Sequence, residues 1–289
     1  MDKIIKDNIL SIPVWDQNIE ITKIDGGLTN QNFLVTDNIN KYFVRVGEDI
    51  PEHLVSRSNE LNASIAAASL LIAPKVIYHN KNIQVIEFLK SKTLNDKDVR
   101  ERINDIIPLI KKVHKEIPKK LNGQSIIFWV FHVIRHYANF LEKKESKYKN
   151  MLSDLLEKSL KLEEKSSPYD IVFGHNDLLS ANFLDDGQRL WLVDWEYAGY
   201  NTPLFYLGGL ASNNNFSNDE EIFLLENYFD HKIDSELLNK YNCLKSASLL
   251  RETMWSMVSE ITSKIDFDYK EYTNENLKKF NEEFNKLKS

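Results

Sequence analysis

His175, Asn176 and Asp177 stand together in the chain, Asn182 follows Asp177 by five residues, and Asp194 closes the apolar run 190–193. These side chains and spacings suit one kind of chemistry. Phosphoryl transfer to an alcohol needs a carboxylate facing the hydroxyl, and an amide oxygen and a second carboxylate sharing a hard cation under the phosphates. Asp177 is the candidate proton acceptor, and Asn182 and Asp194 are the candidate metal ligands. A motif of this kind depends on its context. Asp194 must return on a strand beside the 175–182 loop. The bland alternative is a polar hairpin with Asp185, Asp186 and Gly187 as its turn.

Several elements must hold that loop in place. Residues 2–11 put Ile4, Ile5, Ile9 and Leu10 on one helical face that ends at Pro13. Short extended segments follow at 19–24, 33–36 and 42–46. The first two are joined by Gly26-Gly27-Leu28-Thr29-Asn30, where glycines without a Cβ let backbone N–H groups approach phosphates. No GxxxxGK[ST] occurs, which excludes a P-loop fold. Arg45, inside the third segment, offers a planar guanidinium that can fork onto phosphate and stays charged when buried. The helix expected over about 52–70 presents Glu60 as its ion-pair partner, a carboxylate that Arg57 or solvent could equally occupy. Residues 76–78 and 83–88 read as two strands around a polar turn. The second ends at Glu87-Phe88-Leu89, a hinge whose backbone would meet adenine. A small lobe then closes near residue 90.

Beyond residue 93 the pattern turns helical. Val99, Ile103, Ile106, Ile107, Ile110, Val113 and Ile117 keep one 3.6-residue period that Pro108 should kink. Residues 125–141 and 151–162 are expected as two further helices, and His114 is expected to pack rather than catalyse. The chain has 289 residues, 37 basic against 43 acidic, for a formal net charge of −6. No basic stripe suggests nucleic acid. The single cysteine, Cys243, excludes a disulfide framework and reads as a small core filler. No apolar run reaches the roughly 18 residues that cross a membrane, and the charged N-terminus does not read as a signal peptide. A soluble cytoplasmic protein is expected.

After Asp194 come Trp195-Glu196-Tyr197 and Asn201, and Arg251-Glu252-Thr253-Met254-Trp255 lies further on. With the 175–194 stretch, this pattern resembles the choline/ethanolamine kinase branch of the aminoglycoside-phosphotransferase-like superfamily, over most of residues 20–275. The resemblance implies an α+β, bilobal protein-kinase-like fold, with an N-terminal nucleotide-binding lobe (1–90) and a mainly helical catalytic and acceptor-binding lobe (91–289). It implies ATP and Mg²⁺ as cofactors and a small cationic amino alcohol, choline first, as acceptor. Gly26, Gly27, Asn30, Arg45, Glu60 and Glu87 would then serve the nucleotide. A quaternary ammonium has no N–H to donate, so aromatic faces and a carboxylate must hold it. Glu196, Tyr197 and Trp255 are the candidates. Three positions depart from the family pattern: Tyr206 and Asn213 where carboxylates are usual, and Val258 where eukaryotic members carry a second tryptophan. Residues 266–269 and Tyr272 could supply replacement acids and aromatics. Two rivals remain open. One is a sister kinase for ethanolamine, thiamine or an aminoglycoside. The other is a non-catalytic binding module, which should have lost one of Asp177, Asn182 and Asp194.

Overall fold

The computed structural model describes residues 2–16, 18–24 and 29–287. Gly26 and Gly27 lie outside the described residues. Helix α1 (Lys3–Leu10) leads into a meander of β1 (Glu20–Ile24), β2 (Gln31–Thr36) and β3 (Lys41–Val46), followed by α2 (Arg57–Ser69) and the hairpin of β4 (Val76–His79) and β5 (Ile83–Glu87). The five strands pair antiparallel in the order β1-β2-β3-β5-β4. Strand side chains alternate between faces, and the register sorts them by polarity. Phe33, Val44 and Val85 lie in one row, while Asn32, Arg45 and Gln84 lie in the next, on the opposite face. The apolar face closes against Ile9 and Ile12. The polar face therefore carries Arg45 away from that small core. Of the four apolar residues expected on one face of α1, Ile9 is buried, whereas Ile4 and Leu10 are exposed.

The rest of the chain is β6 (Lys92–Thr93), α3 (Asp96–Glu101), α4 (Ile103–Glu116), α5 (Val130–Lys143), α6 (Lys149–Ser166), β7 (Val172–Gly174), β8 (Phe183–Asp185), β9 (Leu190–Leu192), β10 (Gly199–Asn201), α7 (Pro203–Asn213), α8 (Asn218–Phe229), α9 (Ser235–Thr262) and α10 (Tyr269–Lys286). Among the described residues no helix is long and apolar enough to cross a membrane. The 28-residue α9 is the axis of this part, buried almost continuously from Tyr241 to Ser259. Ala63, Ala66 and Ala67 of α2 belong to the same large core, so α2 bridges the sheet and the helices.

Three helix expectations are corrected. A 3₁₀ turn over Pro51–His53 and a left-handed Leu54 precede α2, which starts at Arg57 rather than near 52. The single period from Val99 is broken at Arg102, whose side chain binds Asp105 and Asp185, and α4 then runs on through Pro108. Residues 125–129 are extended, because the Ile126 carbonyl and Phe128 amide pair with the Tyr200 backbone and extend the β7–β10 ribbon. Helical periodicity cannot foresee a partner lying seventy residues downstream.

Gly174, at the end of β7, is set by contact. A Cβ there would stand 2.6 Å from Cδ2 of Tyr206, whose buried ring is itself braced edge-on by His114 at 4.5 Å. Overpacking of this kind typically costs about 1–3 kcal/mol. Gly174→Ala is expected to lower unfolding stability on that scale in urea titration. Adding Tyr206→Leu should recover most of the loss, and fully additive effects would show that the contact is not the cause.

Candidate active site

Strand β7 delivers the loop that begins at His175. Burial keeps the His175 imidazole neutral, pushing its pKa down to about 4. The ring donates from Nε2 to the Val193 carbonyl at 2.8 Å. The Val193 amide donates to the Asn182 carbonyl at 3.0 Å. One residue of the returning strand is thus gripped from both ends of the loop. Asp194 follows with a left-handed backbone (φ 69°), as does Asn176 (φ 64°). Asp and Asn tolerate that region better than most side chains. Asn176 Nδ2 donates to the Tyr197 and Gly199 carbonyls at 3.0 and 3.1 Å, tying the loop to the segment beyond Asp194. The hairpin also forms, β8 pairing with β9, although Asp185 belongs to the strand, opposite Leu190, and the turn spans 186–189. It is the device that brings Asp194 back beside Asn182.

Asn182 Nδ2 donates to the Asp177 carbonyl at 2.9 Å, so Oδ1 is the amide atom that could serve a cation. The Asp194 side chain keeps 30% of its surface exposed, and Asp177 keeps 14%. Burial pushes the Asp177 carboxyl above the ordinary aspartate range. Glu252, Asp194 and Glu196 push the same way, and Arg251, with Nη2 3.7 Å from Oδ1, pulls it down.

On the sheet side, Arg45 pairs with Glu60 and reaches Asp194 Oδ1 with Nη2 at 2.8 Å. Burial opposes its charge, but Asp194, Glu60 and Glu196 raise the guanidinium's pKa overall. Glu60 also takes Arg57 Nη1 at 2.7 Å, so both candidate partners share one carboxylate. Arg57 Nη1 reaches Glu196 Oε2 at 3.1 Å. Glu196 further accepts from Thr29 Oγ1 at 3.0 and 2.9 Å and from Asn30 Nδ2 at 3.3 Å. This overturns the expected orientation of Glu196. Its oxygens face the small lobe, because Arg57, Thr29 and Asn30 converge on them. Glu87 is an exposed strand end whose amide donates to the Lys75 carbonyl at 2.9 Å.

Tyr197 and Trp255 do meet, Trp255 Nε1 donating to the Tyr197 hydroxyl at 2.9 Å. The Tyr197 ring is covered by Arg251, whose Cζ is 5.4 Å from the centroid, and flanked by Phe128 at 5.8 Å. It is a support for Trp255 and has no open face. The aromatic residues around Trp255 are instead His53 at 5.4 Å, Tyr269 at 6.2 Å and Tyr272 at 6.4 Å, with Phe267 5.6 Å from Tyr272. Tyr272 donates its hydroxyl to Glu252 Oε1 at 2.8 Å, and Arg251 Nη1 lies 2.9 Å from Glu252 Oε2. The motif reading omitted Arg251 and Glu252 as site residues. Glu252 stands three residues before Trp255, a helix spacing that puts both on one face. Asp268 is not a spare acid, since its carboxylate caps α10 at Glu271 N.

Two oxygen donors, the Asn182 amide and the Asp194 carboxylate, suit Mg²⁺, which prefers hard oxygen ligands and usually binds one or two carboxylates plus substrate phosphates. No cluster of three or more His, Cys, Asp or Glu able to hold a metal occurs among the described residues. The donor set therefore fits a cation shared with a nucleotide rather than one caged by protein.

The sequence profile of the choline/ethanolamine kinase family matches residues 21–281. The chain belongs to that family. Protein LicA of Haemophilus influenzae is 26% identical to this kinase-family chain over 262 residues, covering 86% of the chain and 75% of the relative. A probable ethanolamine kinase of Arabidopsis thaliana is 26% identical over 293 residues, covering 89% and 77%. The choline kinase LicA from Streptococcus pneumoniae superposes with a TM-score of 0.79 at 24% identity, over 98% of each chain.

One of this kinase's departures from the family pattern acquires a physical account, and a neighbour of another proves to be structural. Tyr206 packs over Gly174 beneath the catalytic loop instead of offering a carboxylate. Beside Asn213, the fully buried Asn214 donates Nδ2 to the Leu178 carbonyl at 2.9 Å and the Leu210 carbonyl at 2.7 Å, pinning the loop to α7. Leaving a buried carbonyl unpaired costs about 1–3 kcal/mol. Asn214→Ala is expected to lose stability on that scale, and Asn214→Asp to lose more, since a carboxylate would face two acceptors. Equal denaturation midpoints for wild type and Asn214→Asp would refute the contact's importance.

Proposed function

We propose that the protein transfers the γ-phosphoryl group of ATP to the hydroxyl of choline, with residues 1–90 as the nucleotide-binding lobe and 91–289 as the catalytic and acceptor-binding lobe. The observation behind this reading is the meeting of Asp177, Asn182 and Asp194 in one cluster, with Arg45 on Asp194. Asp177 accepts the hydroxyl proton. Its surroundings raise its affinity for that proton and so make it a stronger base once ionised. Arg45, steadied by Glu60, is available to a phosphate oxygen, and Gly26, Gly27 and Asn30 cover the phosphates. The backbone after Glu87 meets adenine. Asn182 and Asp194 would hold Mg²⁺, which supplies charge neutralisation for the phosphates. Opening of the lobes releases product.

For the acceptor, Trp255, Tyr272 and Phe267 offer faces to a trimethylammonium group, and Glu252 offers the compensating charge. Tyr197 supports Trp255 from behind. A second reading, ethanolamine, is favoured by one observation. Val258 is wholly buried and adds no second indole, so an acceptor that donates N–H to Glu252 loses less from the thinner cage.

Three outcomes test this. Asp177→Ala should lower kcat by about 10²–10⁴, the scale of a positioned proton acceptor, with nucleotide affinity nearly intact; turnover near wild type removes Asp177 from the role. In the wild type, protonated Asp177 cannot accept a proton, and its pKa is raised. Acceptor kcat/KM at saturating ATP should therefore climb with pH through an apparent pKa above the ordinary aspartate value of about 3.9. A profile flat from about pH 5 upward contradicts the raised base. Trp255→Leu removes a cation–π contact of about 0.5–2 kcal/mol. It should raise KM for choline several-fold and KM for ethanolamine less, whereas Glu252→Gln should hurt ethanolamine more. Unchanged choline kinetics in Trp255→Leu would sink the acceptor assignment.

A further inference from the structure

Arg251 lies between the two carboxylates that an acceptor would meet, yet phosphoryl transfer itself gives it no part. Its Nη1 stands 2.9 Å from Glu252 Oε2 and its Nη2 stands 3.7 Å from Asp177 Oδ1. Nη2 also donates to the carbonyl of Asn176, the residue before Asp177, at 3.3 Å. The side chain is buried, with Cζ 5.4 Å from the Tyr197 ring centroid and 5.8 Å from that of Phe128. Burial works against its charge, but Glu252 and Asp177 outweigh it, so the group stays a cation. A planar fork held between two rings and a backbone carbonyl is a rigid spacer. Glu252 is fixed on its other oxygen by the Tyr272 hydroxyl, 2.8 Å from Oε1.

Added to the width of one guanidinium, the two contacts keep Asp177 Oδ1 and Glu252 Oε2 within roughly 9 Å of each other. An acceptor that offers its hydroxyl to one carboxylate and its ammonium to the other uses about 2.7–2.9 Å at each end. In a straight line that leaves roughly 3–4 Å from oxygen to nitrogen, the reach of an extended two-carbon link. A three-carbon link reaches about 5 Å and fits only when folded. Toward a trimethylammonium group the same guanidinium acts through Tyr197, whose hydroxyl accepts from Trp255 Nε1 at 2.9 Å.

We propose that Arg251 is a positioning residue that measures the acceptor. By holding Glu252 and Asp177 at one spacing, it selects alcohols whose hydroxyl and cationic nitrogen are two carbons apart. The proposal rests on the reading of Asp177 as the base and Glu252 as the acceptor's counter-charge. It gives Arg251 no contact with phosphate and no share in the proton transfer.

The test is kcat/KM at saturating ATP for ethanolamine and for choline, each beside its homologue with one more methylene. The proteins are wild type, Arg251→Lys and Glu252→Asp, with ATP-analogue affinity measured by calorimetry. Wild type should prefer the shorter acceptor in both pairs. Arg251→Lys keeps the charge and loses the fork. It should lower that preference by about tenfold, the scale of one hydrogen bond to a charged group, and leave ATP-analogue affinity within about twofold. Glu252→Asp draws the acceptor's anchor back by one methylene and should shift the preference toward the longer homologue. A role in folding alone would lower all four rates together and leave the ratios unchanged, and that result in Arg251→Lys overturns the proposal. If Arg251→Lys yields no soluble protein, Glu252→Asp decides, and an unchanged ratio there overturns it as well. So does a wild type with no preference between the homologues. Failure of the acceptor reading looks different: the wild type would bind the ATP analogue but turn over none of the four alcohols, and the proposal would fall with that reading.

Discussion

The structure depends on an alternating chain of charges, buried except at the partly exposed Asp194: Asp194, Arg45, Glu60, Arg57 and Glu196. It starts and ends on one short stretch of the helical lobe, two residues apart, and passes through the sheet and α2 in between. Isolated ions in such a place would cost several kcal/mol each in desolvation, and breaking one buried pair costs roughly 3–5 kcal/mol. Each link therefore constrains its neighbours. Arg45 points at Asp194 because β3 turns its apolar alternates toward Ile9 and Ile12. Arg57 reaches Glu196 because α2 joins the large core through its alanines. The order of charges makes the two lobes one site.

A second set of contacts holds the catalytic loop from beneath with neutral groups. His175, Asn176 and Asn214 donate to backbone carbonyls of the returning strand, of the segment after Glu196, and of the loop itself. Neutral donors suit this position. A charged side chain under the loop would move the balance at Asp177, where burial and three carboxylates are set against Arg251. Tyr206 in place of a carboxylate fits the same logic, since it supports β7 through packing against Gly174 and His114 and adds no charge. The Arg251–Glu252–Tyr272 line carries the electrostatics onward to the aromatic group around Trp255.

Sequence alone determined the parts that are local in the chain. The spacing of Asp177 and Asn182 sits within one loop. The fall of Asp194 at a strand end follows from an apolar run, and the polarity of Arg45 follows from strand alternation. The bilobal order of strands then helices is legible for the same reason: period and turn residues are short-range signals. Tertiary structure decided what the remaining charges face. Glu196 reads as an acceptor carboxylate until Thr29, Asn30 and Arg57 are brought to it from the other lobe. Tyr197 reads as a cage wall until Arg251 covers its ring, and Glu252 is unremarkable until Tyr272 donates to it from another helix. Residues 125–129 carry a helical pattern, yet pairing with Tyr200 extends them. At Glu196, Glu252 and residues 125–129 a partner from another element satisfies a polar group, and burial makes that satisfaction worth more than local propensity.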